Sequence, residues 1–150
     1  MLLTSDVQKS ITVSVLCWFA TTDCDGVPNV SPKEIFAYYK NDTIIIANIA
    51  SPQTMKNLKT NSAACISFID ILVQKGFQVK GTAQIIEKDN PAFAPMEDVL
   101  LQMTDGKFPF SSIIALEALT VKPIIAPMYI LYPETTEEQQ ITAAKKAYGL

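Results

Sequence analysis

This sequence predicts a mainly β fold, a small antiparallel barrel with peripheral helices, and three observations carry that expectation. Short β-branched and aromatic runs recur between turn signals along the first two thirds of the chain. The first two connections, "DCDGVP" and "YKNDT", are too short for the crossovers that parallel strands need. Only one short helical stretch interrupts the first four strands, which argues against a doubly wound α/β sheet. At 150 residues the chain is expected to form one domain, residues 1–150, large enough to bury a full core without metals or disulfides.

Residues 11–22, "ITVSVLCWFATT", read as the first strand. Asp25-Gly26 and Pro28 mark a tight turn. A second strand is expected from about Asn29 to Tyr38. Pro32 in its middle places it at a sheet edge or a bulge. The third strand runs from Thr43 to Asn48, and its isoleucines Ile44 to Ile46 read as buried on both faces. Pro52 to Lys59 reads as a helix, with Ser51 as N-cap, Pro52 in the first turn and an apolar stripe of Met55 and Leu58. Ala63 to Ile69 and Phe77 to Glu87 are the fourth and fifth strands, with Gly81 a bulge or a point of close approach. A helix starting at Asn90 and Pro91 carries Met96, Val99, Leu100 and Met103 at helical spacing. Ile113 to Val121 is the sixth strand. The end of the chain reads as a polar helix capped by Thr135 or Thr136, with acids in its first turn and Lys145 and Lys146 near its end.

Composition narrows the function classes. Net charge is -3, and nucleic-acid binding needs a basic face, so nucleic acid is an unsuitable partner. Hydrophobic residues make up 49% and charged residues 18%, so some apolar surface is expected to be covered by a partner subunit or a ligand. Histidine is absent, which removes the usual general base and most zinc sites, and no metal site is expected. Cys17, Cys24 and Cys65 are an odd set without CxxC spacing, as in a reducing compartment. No apolar run approaches the roughly 20 residues of a membrane span, and the N-terminus lacks a basic leader region. A cytoplasmic location is expected.

The junction "ANIASPQTMKNL" has the makings of an anion site. The first amides of a helix lack internal partners, Ser51 offers a hydroxyl, and Lys56 lies one turn beyond Pro52 on the same face. Asn48 and Asn57 add amide donors. The same residues also describe an ordinary capped helix with solvated lysines, and spacing alone leaves both readings open. All twelve basic residues are lysines, so the bidentate grip of arginine on a phosphate is missing.

The segments "FATTDCDGVPNVSPKEIF", "TIIIANIASPQTMKNL", "AACISFID" and "FQVKGTAQII" are collinear from about Ala20 to Ile86. In order and spacing they resemble the FMN-binding split-barrel proteins related to pyridoxamine 5'-phosphate oxidase. The resemblance implies a six-stranded antiparallel split β-barrel and a homodimer with two FMN sites at its interface, each lined by both subunits. It implies that Ser31, Pro32 and Lys33 lie along the flavin ring or ribityl chain. Asn48, Ala50 and Ser51 would sit beneath the ribityl phosphate, with Lys56 and Asn57 on the phosphate and its flank. Gln78 would reach the site from the fifth strand. The family often has arginine at the position of Ser31 and at the helix start, and the oxidases use arginine and histidine for their substrate. This chain has neither residue, so oxidation of vitamin B6 is not expected.

Two function classes that use a ligand stay open at this point, beside a barrel that has lost its ligand and acts only by association. One is an FMN-dependent oxidoreductase or flavin-reductase-like enzyme acting on a small-molecule redox substrate, in which Lys33 stabilises the negative charge of reduced flavin. The other is a non-catalytic carrier, store or sensor for FMN or a related cofactor. Haem fits poorly without histidine. Trp18 is expected in the core, Cys17 and Cys65 as inert buried thiols, and the loop "DGKFPFSS" either as a cover for the site or as packing on the barrel.

Overall fold

The computed structural model describes residues 1–150 and contains seven strands and five helices. The strands are β1 (Cys17–Thr22), β2 (Pro28–Lys33), β3 (Phe36–Tyr39), β4 (Thr43–Ala47), β5 (Ala63–Asp70), β6 (Lys75–Glu87) and β7 (Ser112–Ile125). They form one sheet in the order β2-β1-β5-β6-β7-β4-β3, with every neighbouring pair antiparallel. The two edge strands, β2 and β3, are consecutive in the chain and separated only by Glu34 and Ile35. A sheet whose two edges are tied by two residues has to curl until those edges approach. The result is a split β-barrel, open along the seam between β2 and β3.

That seam explains the difference from the six strands expected. The single strand read from Asn29 to Tyr38 is two strands, because the chain leaves one sheet edge at Lys33 and joins the other at Phe36. Pro32 sits on β2, an edge strand, the place in a sheet where proline is tolerated. The Asp23–Val27 turn is closed by the Asp23 carboxylate, which accepts from the Asp25 and Val27 amides at 2.9 Å each.

The N-terminal reading needs correction. Residues 11–13 belong to helix α1 (Ser5–Val13), and the first strand begins only at Cys17. β-Branched residues misled the reading because Leu3, Val7 and Ile11 recur every four positions, the spacing of one helix face. All three are buried and plug the barrel interior. Around them pack Phe19, Phe36, Ile44, Ile46, Ile66, Phe68 and Leu116. A second core lies on the outer face of β3, β4 and β7. There Ile45, Ile86, Ile113 and Ala115 meet Phe93, Met96 and Leu100 of helix α3 (Phe93–Thr104). The isoleucines of β4 are therefore buried on both faces, as expected, with Ile44 and Ile46 turned one way and Ile45 the other.

Helix α2 (Pro52–Leu58) follows β4 and packs on β1, β2 and β6. At Gly81 the β6–β7 register shifts, and an added Cβ would lie 1.8 Å from the Glu117 carbonyl oxygen, so the position needs glycine for close approach. β7 extends to Ile125, four residues beyond the expected end, and is followed by the short helix α4 (Pro127–Leu131). Helix α5 (Glu137–Tyr148) opens with a capping box. Thr136 accepts from the Gln139 amide at 3.1 Å, and the Gln139 side chain accepts from the Thr136 amide at 3.0 Å. No helix is long and apolar enough to cross a membrane.

Candidate functional site

The last residues of β2 face the start of α2. Ser31 and Lys33 are two apart on a strand and point the same way, while Ser51 and Thr54 lie at the start of α2. The two rows meet. Ser31 Oγ lies 3.4 Å from Thr54 Oγ1, and Lys33 Nζ donates to Ser51 Oγ. The Ser51 hydroxyl donates onward to the Ile49 carbonyl at 3.1 Å, so Ser51 does not cap the helix with its side chain. The residue before it, Ala50, is held at φ 49°. A left-handed conformation costs a residue with a Cβ roughly 1–2 kcal/mol, and here it turns the chain sharply from β4 into α2.

Lys33 is the unusual member. It is 7% exposed, yet no carboxylate pairs with it, and the one ion pair of the chain joins Lys75 to Glu137. Burial lowers its pKa from the usual lysine value. Its neighbour across the ladder, Cys17, offers no counter-ion, because burial pushes that thiol up to about 12. An uncompensated buried ammonium costs several kcal/mol, and a neutral hydroxyl offsets only part of that.

Lys33 also lines a cavity of about 610 Å³, together with Pro32, Glu34, Ile35, Ile49, Met103 and Phe108. That volume falls in the usual range for small-molecule sites. Asn48, between Ala47 and Ile49 in the chain but not on the cavity lining, donates its side-chain N–H to Ser112 Oγ at 2.8 Å, while its Oδ1 is buried with no donor. A smaller cavity of about 440 Å³, bordered by α1 and the start of α5, is charged but differs in kind. Its Lys75 is paired with Glu137 at 2.9 Å, and no buried charge there lacks a partner.

The sequence-derived site residues divide into three groups. Ser31, Pro32, Lys33, Asn48, Ala50 and Ser51 are brought together around the seam and the β4–α2 turn. Lys56 and Asn57 lie further along α2. Lys56 is exposed, whereas Asn57 is 1% exposed and committed to structure. Asn57 Nδ2 donates to Thr21 Oγ1 at 3.0 Å, and its Oδ1 accepts from Gln53 at 2.8 Å. Gln78 stands apart. It pairs with Ser67 and Lys122 in the ladder, and β1 and β5 lie between its strand and β2. Thr54 and Met103 were not singled out for the site, whereas Phe108 lies in the "DGKFPFSS" loop expected either to cover the site or to pack on the barrel. The signal for Thr54 was available, because Thr54, Asn57 and Leu58 share one helical face.

Trp18, expected in the core, is 50% exposed. Cys17 and Phe19 take the inward positions of β1, so alternation turns Trp18 outward. Cys17 is buried as expected, Cys65 is half-buried, and burial raises its thiol pKa too.

A family model described as Pyridoxamine 5'-phosphate oxidase matches residues 3–122, and the chain belongs to that family. A comparison with curated proteins finds no match. Among solved structures, an FMN-binding protein from Syntrophomonas wolfei subsp. wolfei superposes with TM-score 0.68 at 18% identity, covering 81% of this chain and 85% of that one. HupZ from Group A Streptococcus gives 0.66 at 22% identity, covering 79% and 90%. HutZ, the heme storage protein from Vibrio cholerae, gives 0.60 at 20% identity, covering 83% and 96%. At these identities the likeness establishes the fold.

Proposed function

We propose that the protein binds FMN and works as a flavin-dependent oxidoreductase on a small-molecule redox substrate. The observation that carries this reading is the buried Lys33 ammonium, which lacks a counter-ion and is grouped with the hydroxyls of Ser31, Ser51 and Thr54. A phosphate in the cavity supplies the missing negative charge to Lys33, which lines it. Pro32, Ile35 and Ile49 offer an apolar wall to a planar ring. Bound flavin supplies the electron-transfer chemistry, and the protein holds it and tunes it. In this reading Lys33 does the work that arginine does in relatives, and Lys56 is a secondary, solvated contributor.

The exposed outer face of the sheet supports a homodimer. Val30 and Trp18 are 55% and 50% exposed there, and Gln78 shares the cross-strand row that runs from Trp18 through Ser67. A second copy on this face brings Gln78 toward a shared site. Free thiols at Cys17, Cys24 and Cys65 fit a cytoplasmic setting.

The test is direct. The purified protein is expected to show a flavin absorption band or to acquire one on titration with FMN. A protein that stays colourless and leaves FMN fluorescence unchanged overturns the reading. Consumption of NADH or NADPH with an electron acceptor then separates an enzyme from a carrier, and sedimentation velocity reports the dimer.

A further inference from the structure

The loop between α3 and β7 presents one aromatic ring to the cavity and anchors another in the core. On its α3 side the loop is held by a tight turn. Asp105 and Gly106 adopt φ 49° and 72°, the Gly106 amide donates to Thr104 Oγ1 at 3.1 Å, and the Lys107 amide donates to the Thr104 carbonyl at 3.0 Å. On its β7 side Phe110 is buried against Phe93, ring centroids 6.4 Å apart. Between these anchors Phe108 is 55% exposed and borders the cavity that contains Lys33. Met103, also half exposed, stands beside it on the last turn of α3. A phenylalanine free to relax would bury its ring. Here the loop is fixed on both sides, and the ring and the thioether remain on the lining of the cavity that Lys33, Pro32 and Ile35 also line.

We infer that Phe108 is the side chain that closes this cavity over the planar part of the bound ligand, with Met103 filling the edge. This rests on the flavin reading above. The chemistry of the lining is complementary to such a ligand, because the buried cation takes the anionic group and the Phe108 ring takes a flat π-face by offset stacking. Phe108 is a positioning and shielding residue. It decides how much of the ring meets solvent.

The experiment compares the full-length parent, Phe108→Ala, Phe108→Trp and Lys33→Met, each titrated with FMN and then with iodide as a collisional quencher of bound-flavin fluorescence. Phe108→Ala is expected to bind FMN about 3- to 10-fold more weakly, the scale of one aromatic stacking contact, and its bound flavin becomes more open to iodide. Phe108→Trp restores both properties. Lys33→Met weakens binding without opening the flavin that remains bound to iodide, so shielding and charge pairing are read separately. Flavin that is bound by Phe108→Ala with parental affinity and parental iodide access overturns the inference while the flavin reading stands. A parent that binds no FMN overturns both. More than half of the Phe108 surface is already in solvent, so the folds should match, and circular dichroism checks that they do.

Discussion

Replacing Lys33 with methionine should make the ligand-free protein more stable and the flavin complex weaker. Methionine keeps most of the side-chain length and removes the charge. In the folded chain the Lys33 residue is 7% exposed and its ammonium has one neutral hydrogen-bond partner, Ser51. Burying an ion costs several kcal/mol, and a hydrogen bond to a charged group offsets about 1.5–3 kcal/mol. The variant should therefore gain about 1–3 kcal/mol of unfolding free energy, read as a higher urea midpoint at unchanged slope. FMN affinity should fall by about 10- to 100-fold, the equivalent of one lost charge-assisted contact. The pH dependence adds a signature. Burial lowers the Lys33 pKa below its usual 10.5. Below that lowered value the lysine is charged in both states and its penalty is complete. Between it and 10.5 the unfolded chain binds more protons than the folded one, so parental stability from this group rises with pH. The advantage of Lys33→Met should thus shrink as pH climbs through that window. A methionine variant that is less stable at neutral pH and binds FMN as the parent does refutes the reasoning. Lys56→Ala, at an exposed position, should affect FMN binding less than Lys33→Met.

Asn57→Ala should lose about 1–3 kcal/mol of stability, because Thr21 and Gln53 lose a buried partner and α2 loses its tie to β1; thermal unfolding measures it. Gly81→Ala should be among the most damaging single changes, costing more than about 3 kcal/mol, since its Cβ would meet the Glu117 carbonyl at 1.8 Å; the fraction folded in urea reports the loss. Cys17 ionises near 9.0 when unfolded and only at about 12 when folded. Its contribution is complete below pH 9.0 and is lost as pH rises toward 12, up to about 4 kcal/mol in all. Alkaline urea titrations of the parent and Cys17→Ser should differ in that window, with the serine variant losing less stability.

Much of the fold was legible because it is written in local chemistry. Asp-Gly turns, the Ile44–Ile46 run, the Ser-Pro helix start, Gly81 and the Thr136 box all act within a few residues of themselves. The N-terminal helix was misread because Ile11 and Val13 have β propensity, and only burial of Leu3, Val7 and Ile11 against the barrel makes the helical register win. The exposure of Trp18 was out of reach for the same reason, since alternation fixes which residues share a face but not which face is inward.

The candidate site divides along the same line. By itself the sequence pointed to Ser31–Lys33 and Asn48–Ser51 as a candidate site, showed that no arginine or histidine can serve it, and predicted an antiparallel barrel. Tertiary structure alone decided that Lys33 rather than Lys56 is the buried cation, that Asn57 is spent on Thr21, and that Phe108 reaches the cavity from 75 residues further along the chain. The physical reason is closure. Two strands separated by two residues occupy opposite edges of one sheet, and only when that sheet curls do the end of β2, the start of α2 and the α3–β7 loop meet around one uncompensated charge.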